Sequence, residues 1–370
     1  MQNAIKLLSL LIIFSFIACG SSKVAKEAAW KVKFLDEYII PENLEVEDTK
    51  VGGLSGLDFD GKYFYAVCDI PSAPRIYKFT IDLNRYKIDT IRFKKVIKII
   101  RNTEPAKSMF WDSEGLIYNQ DKNIFILSSE GAIKQNKDPF IVELDKEGNL
   151  LETYKLPDYF KADAKNGLRN NGAFEGLSES VNAAKIWVST ELPMKRDGGT
   201  VNLYKSKAPV RFTRFNKNTK TPDRQFAYRL GRLRKLPFLP FGMNGVTAIL
   251  NYQTDKFFVL ERAFSAGHGS HGMRVRLYDV DASQATNTLE IQRLRGRIEK
   301  EVIPAEKKLI FDFKNIRKKL TDSIVDNLEG IAFGPILPNG NQSLILISDN
   351  NFSSWTRQLN QVILLELIPK

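Results

Sequence analysis

Glutamate followed by glycine and then leucine or isoleucine recurs at three distant places in this sequence, Glu114-Gly115, Glu175-Gly176 and Glu329-Gly330. The same local grammar returns at Ser55-Gly56 and Asn244-Gly245: a small or polar residue, glycine, then an aliphatic. If the fold brings these positions to one axis, three carboxylates face each other. Like charges at short range disfavour one another unless something positive sits between them. Carboxylates and amide oxygens suit a hard cation, calcium before magnesium. The histidine and cysteine that transition metals favour number only two each. Glu114, Glu175, Glu329 and Asn244 are therefore candidate metal ligands. A single Glu-Gly pair also reads as a turn, its carboxylate accepting from nearby backbone N–H groups.

A further polar set follows the apolar runs downstream of these positions: Asp69, Glu130, Glu191, Glu261 with Arg262, and Asp349-Asn350-Asn351. Asp349 is read as a fifth ligand, and Asp112, beside Glu114, as a residue of the same site. Glu114 and Glu175 are also candidate catalytic bases, and Arg262 a candidate clamp for an anionic substrate. The Gly-rich stretch from Gly267 to Arg274 holds both histidines, His268 and His271. These and Arg274 are candidate substrate-binding groups; the stretch reads equally as a flexible loop with solvated histidines. Phosphate-binding loops, zinc-ligand spacings and a Gly-x-Ser-x-Gly elbow are absent from the sequence, so a serine-hydrolase mechanism has no support.

The elements that must position these residues come from a repeat. Each of the five motifs leads into an apolar run: Tyr63 to Asp69, Asn123 to Ser129, Lys185 to Glu191, Lys256 to Glu261 and Ser343 to Asp349. A third run follows each, and weaker fourth runs are readable at Lys94 to Ile100, Leu150 to Leu156, Gln225 to Leu230 and Lys308 to Phe313. All are short, rich in Ile, Val, Phe and Tyr, and bounded by Gly, Asn and Asp, which is strand chemistry. The last module runs out of chain after its third strand, and Trp30 to Ile40 supplies the missing one. Four-stranded modules arranged radially make an all-β propeller, and closure removes exposed sheet edges. The expectation is five blades, or six if Asp281 to Lys319 hides another; the alternative architecture is a pair of β-sandwiches.

The ordered set Gly53-Leu-Ser-Gly-Leu-Asp58, Asp112-Ser-Glu-Gly-Leu116, Phe174-Glu-Gly-Leu-Ser178, Leu260-Glu-Arg262, Asn327-Leu-Glu-Gly-Ile331 and Ser348-Asp-Asn-Asn-Phe352 resembles the phytase-like family, also described as having esterase-like activity of phytase. The resemblance runs from about Gly52 to Leu367. It implies an exported, propeller-like protein and a calcium-dependent phosphoesterase or esterase. Carried onto this chain, it points to Glu114, Glu175 and Glu329, with Asp349 and Arg262 near them. Ser55 and Asn244 depart from a full multi-calcium cluster by standing where carboxylates would complete it.

Composition and the N-terminus give the setting. Lys6, an apolar run from Leu7 to Ile17, and Phe16-Ile-Ala-Cys19 read as a lipoprotein signal peptide over residues 1–18, with Cys19 as the lipidated residue. The apolar run is shorter than the roughly 20 residues a spanning helix needs. Residues 19–29 read as a tether, and residues 30–370 as one propeller domain. Cys68, the other cysteine, sits in an apolar run and is expected to be buried. The net charge of +12 suits a small anionic ester or an anionic surface, and export argues against nucleic acid. Two readings result. One is a calcium-dependent hydrolase of phosphate or carboxylic esters, held at the cell envelope through Cys19. The other is a non-catalytic surface lipoprotein whose calcium only stiffens the ring while its loops bind a glycan or protein. The Cys19 reading is checked by labelled-palmitate incorporation and fractionation in a bacterial host: the wild-type chain should label and partition with membranes, and Cys19→Ser should do neither. Equal partitioning without label would remove the anchor.

Overall fold

In the computed structural model the chain is described over residues 28–163, 165–201, 208–353 and 357–370. The signal segment, Cys19 and nearly all of the tether lie outside the described residues. Five four-stranded antiparallel sheets account for the architecture. Blade 1 comprises Leu54–Phe59, Phe64–Cys68, Arg75–Asn84 and Lys87–Lys98, and blade 2 Ser113–Asn119, Ile124–Ser129, Phe140–Asp145 and Leu150–Thr153. Blade 3 is Phe174–Glu179, Lys185–Thr190, Pro209–Asn216 and Pro222–Arg229, and blade 4 Gly242–Gln253, Lys256–Ser265, Met273–Asp281 and Glu306–Asp312. Blade 5 takes Asn327–Ile336, Gln342–Asp349 and Asn360–Pro369 from the C-terminal part and Trp30–Ile40 from the N-terminal part.

The inner strands touch in ring order, blade 5 to 1 to 2 to 3 to 4 and back to 5, so the molecule is a closed five-bladed β-propeller. Closure is the antiparallel pairing of Trp30–Ile40 with Asn360–Pro369, from Trp30 opposite Pro369 to Ile40 opposite Asn360. The stretch from Asp281 to Lys319 holds no sixth blade: it supplies the outer strand of blade 4, Glu306–Asp312, close to the fourth run read from Lys308 to Phe313. The remainder, residues 282–305, crosses onto blade 3, where Thr288 and Ala305 donate to the carbonyls of Gln225 and Ala227. Among the described residues no helix is long and apolar enough to cross a membrane.

The second strands read as unbroken apolar runs because both of their faces are buried. In blade 1, Phe64, Ala66 and Cys68 pack toward blade 5 while Tyr65 and Val67 pack toward blade 2, the alternation of a pleated strand. Each blade-to-blade boundary has its own apolar core. Cys68 is fully buried in one of them, and that burial pushes its thiol up to about 12, so it is inert packing.

Candidate functional site

Regular strand pairing breaks at the repeated motifs. The ladder between first and second strands shifts register between Leu54 and Leu57, Ser113 and Gly115, Phe174 and Leu177, and Leu328 and Gly330. Ser55, Glu114, Glu175 and Glu329 lie in these shifts. An extra residue in a ladder is left unpaired and re-aimed, which is how a bulge turns a side chain out of the sheet. Here it turns them onto the propeller axis.

Below the bulges the channel closes to a void of about 10 Å³, lined by the pair Gly56-Leu57 and four triplets, Glu114-Gly115-Leu116, Glu175-Gly176-Leu177, Thr247-Ala248-Ile249 and Glu329-Gly330-Ile331. The glycines permit this approach. A Cβ on Gly56 would lie 2.6 Å from the backbone nitrogen of Leu116, and one on Gly330 would lie 2.8 Å from the carbonyl oxygen of Ser55.

The triplets correct the expected register in blade 4. The shift there falls between Val246 and Ala248, so Thr247, not Asn244, occupies the axial position. Asn244 pairs regularly with Ala263, and its amide donates to the Gly231 carbonyl and to Glu261, each at 2.7 Å. It does not line the mouth.

Above the pinch the axis opens into a cleft of about 1140 Å³. Its floor holds two sets of residues. The bulges contribute Glu114, Glu175 and Glu329, with the hydroxyls of Ser55 and Thr247 completing the circle. Ser55 donates to Glu329 at 3.1 Å, and Thr247 to the Leu328 carbonyl at 3.0 Å. The ends of the second strands contribute Asp69, Glu130, Glu191, Arg262 and Asp349, all lining the cleft. Asp112 and Asp326 join them, so nine carboxylates share one mouth.

Arg262 replaces a carboxylate in the outer set. One Nη2–Glu191 bond measures 3.0 Å, while Nη1 donates to Glu329 and to Asn327. Although burial disfavours its charge, Glu329, Glu191 and Glu175 hold the guanidinium more firmly protonated than usual. Asn327 ties the sets together, donating to Glu329 at 3.0 Å and to Asp349 at 3.2 Å. Glu130 is fixed from below by the backbone N–H of Gly172 at 2.6 Å and by that of Ala173.

Among the described residues Glu114 and Glu175, like Asp69 and Asp112, lack a hydrogen-bond donor from another residue. Burial, reinforced by the surrounding acids, raises Glu114 and Glu175 well above the usual carboxylate range, as it does Glu130 and Asp349. The same causes push Asp69 up to about 7 and Asp112 to about 6, and burial lifts Glu191 to about 7 against the pull of Arg262.

Two groups present oxygens within 4.8 Å of one another: Asp112, Glu114 and Glu130, and Glu130, Glu175 and Glu191. An all-oxygen set, short of hydrogen-bond donors and rich in uncompensated charge, fits a hard divalent cation.

Other sequence candidates fall elsewhere. His268 caps the Leu236 carbonyl through Nε2 at 2.8 Å and packs against the Phe238 ring at a tilt, while His271 lies beside Arg317. Neither lines the cleft, although Gly267, Gly269 and Ser270 of the same loop do. Arg274 pairs with Asp312 at 2.5 Å on the flank of blade 4. Glu261 points opposite to its neighbour Arg262, as successive strand residues must. It accepts from Tyr228 at 2.7 Å and from Lys307. Sequence reading passed over Asp326, Asn327 as the connecting amide, and an apolar wall of Leu239, Phe241, Met243, Phe264 and Met273 along one side. The Asn327-Leu-Glu-Gly spacing held the signal for the amide; the wall comes from separate segments and had none.

The comparison with known families bears on the same region. Residues 49–352 match the family described as Phytase-like, esterase-like activity of phytase. The chain belongs to the Phytase-like family. No curated protein sequence matches this Phytase-like chain. Solved structures with a similar chain path include xylan beta-1,4-xylosidase from Bacillus halodurans C-125, at 10% identity and a TM-score of 0.45, covering 85% of this chain and 53% of that one. Others are the PQQ-bound aldose sugar dehydrogenase from Streptomyces coelicolor, at 10% identity, TM-score 0.38 and coverage of 92% and 100%, and a luciferin-regenerating enzyme at 10%, 0.38 and coverage of 85% and 91%.

The raised carboxylates set a pH dependence. Without a cation, the folded protein holds protons that the unfolded chain releases between the ordinary values of 3.8 and 4.5 and the folded values near 7 of Asp69 and Glu191. Stability is then present below that window and falls as pH rises through it. In chelator the Tm should drop from about pH 5 to about pH 8, and saturating calcium should flatten the profile, because ligation requires the ionised form. Calcium affinity should rise over the same interval. A chelated profile indistinguishable from that of Glu114→Gln/Glu175→Gln would contradict this electrostatic account.

Proposed function

We propose that this chain is a calcium-dependent hydrolase of phosphate or carboxylic esters, acting in the cleft at the mouth of the propeller. The observation that carries this reading is the pairing of undonated carboxylates, Glu114 and Glu175, with an open 1140 Å³ cleft above a sealed channel. A purely structural ion would be served by a closed cage. This mouth leaves room for a small organic ester beside the carboxylates.

Asp112, Glu114 and Glu130 would hold the cation, with Glu329 and Asp349 completing the negative surround. When bound, calcium would supply charge neutralisation and polarise an ester oxygen. Glu175, buried beside that group and without a donor of its own, would take a proton from an attacking water once the charge of a bound cation had brought its raised carboxyl into the ionised form. Arg262 spends both terminal nitrogens on Glu191, Glu329 and Asn327. Its part is to fix those carboxylates and offset their charge, which replaces the anion-clamp role expected from sequence. Lys134 and Arg169 stand on the rim of the same cleft, where they favour approach of an anionic substrate. Family membership supports an ester as the substrate class, and the N-terminal sequence supports attachment to the cell envelope through Cys19.

The test is turnover of a phosphomonoester and of a carboxylic ester by a soluble form beginning at Ser21, in calcium and in chelator, alongside calcium titration. Turnover should require calcium. Glu175→Gln should lose about 10²–10⁴-fold in kcat while still binding the ion, and Glu114→Gln should lose both. Calcium that raises the Tm without turnover of either ester would favour the non-catalytic lipoprotein with a structural ion.

A further inference from the structure

The flank of the ring between blades 3 and 4 carries a groove of about 810 Å³ that shares no lining residue with the mouth. Six cations line it: Arg229, Arg232 and Arg234 from the segment leaving blade 3, Arg274 and Arg276 from the third strand of blade 4, and Lys307 from its outer strand. Three are hydrogen-bonded to a carboxylate. Arg229 pairs with Glu299, Arg274 with Asp312, and Lys307 with Glu261. Among the described residues no carboxylate pairs with Arg232 or Arg234, both exposed.

Arg276 is the decisive group. It is only 3% exposed, yet its Nε and Nη2 have no hydrogen-bond acceptor. The Glu261 carboxylate, 3.6 Å from Nη2, already accepts from Tyr228, Lys307, Asn244 and the Gly231 backbone N–H. A guanidinium cannot shed its proton to escape burial, and buried donors are almost always satisfied. Nε and Nη2 are sealed from solvent in this arrangement, so an oxyanion entering the groove would accept from the fork once the Arg276 side chain turns outward, with Arg232 and Arg234 balancing its charge from the open side. Ile303 and Leu309, 58% and 50% exposed, line the same groove and offer an apolar surface beside the cations.

We infer that this groove is a second ligand site, for a phosphoryl group carried on an apolar body. The chemistry is shared by a soluble aryl or alkyl phosphate and by the headgroup of an anionic phospholipid. Neither depends on the reaction proposed for the mouth.

The experiment uses the purified protein in chelator, so that no cation at the mouth can recruit an anion there. Phenyl phosphate and phenol are titrated calorimetrically, and co-sedimentation is measured with phosphatidylcholine vesicles with and without phosphatidic acid. Phenyl phosphate should bind and phenol should not. Arg276→Lys, which keeps the charge but loses the fork, should weaken binding at least about tenfold, as should Arg232→Gln/Arg234→Gln. The double variant lies outside the buried Glu261 network and so tests the site without touching the core. Binding of phenyl phosphate assigns a soluble ligand, and binding confined to phosphatidic acid vesicles assigns the lipid headgroup. Failure of both probes, or binding that neither variant weakens, would overturn the site.

Discussion

Everything at the mouth of this propeller follows from how closely its inner strands approach one another. Five strands can converge until only about 10 Å³ remains between them because glycine stands at four of the five axial steps and alanine at the fifth. A larger side chain there would push backbone against backbone. The residue before each small one then has nowhere to sit in a regular ladder, and the register shift ejects it onto the axis. Packing and site are thus one device. The close approach that seals the channel is also what concentrates acidic groups above it.

That concentration has an electrostatic cost, and the chain meets it unevenly. Ser55 and Thr247 replace two axial carboxylates with hydroxyls that bond to blade 5, and Arg262 replaces one in the outer set with a cation reaching Glu191 and Glu329. Protein groups therefore satisfy the blade 5 side. The blade 2 and blade 3 side, with Glu114, Glu175 and Glu130, is left to protons or to an ion. The asymmetry distinguishes this mouth from a uniformly acidic ring and confines the proposed chemistry to one side of it.

Much of this was legible in the sequence because it is local and periodic. The Glu-Gly steps, the apolar runs after them and the strand from Trp30 to Ile40 all have fixed spacing, and closure of the ring by that strand was readable from a missing fourth run. The failures are also local. In blade 4 the inner strand begins early, at Gly242, so Met243-Asn-Gly-Val246 imitates the motif three residues ahead of the true bulge at Thr247. Composition could not separate the two, since only the ladder shows which residue is unpaired. His268, His271 and Arg274 attracted attention for their chemistry, yet chemistry says nothing of direction. The loop that carries the histidines presents its glycines to the cleft, and strand alternation turns Arg274 to the flank. The strap over residues 282–305 had no repeat to announce it, because its anchors on blade 3 are individual hydrogen bonds.

The central claim is that an ion resides among Asp112, Glu114, Glu130, Glu175 and Glu191. Anomalous diffraction from crystals soaked in terbium, a calcium surrogate, addresses it most directly. The account predicts a strong peak among these carboxylates, with Glu130 among its ligands, displaced from the axis toward blades 2 and 3 and lost in Glu114→Gln/Glu175→Gln crystals. A mouth without such a peak, its carboxylates arranged as they are without the ion, would contradict it.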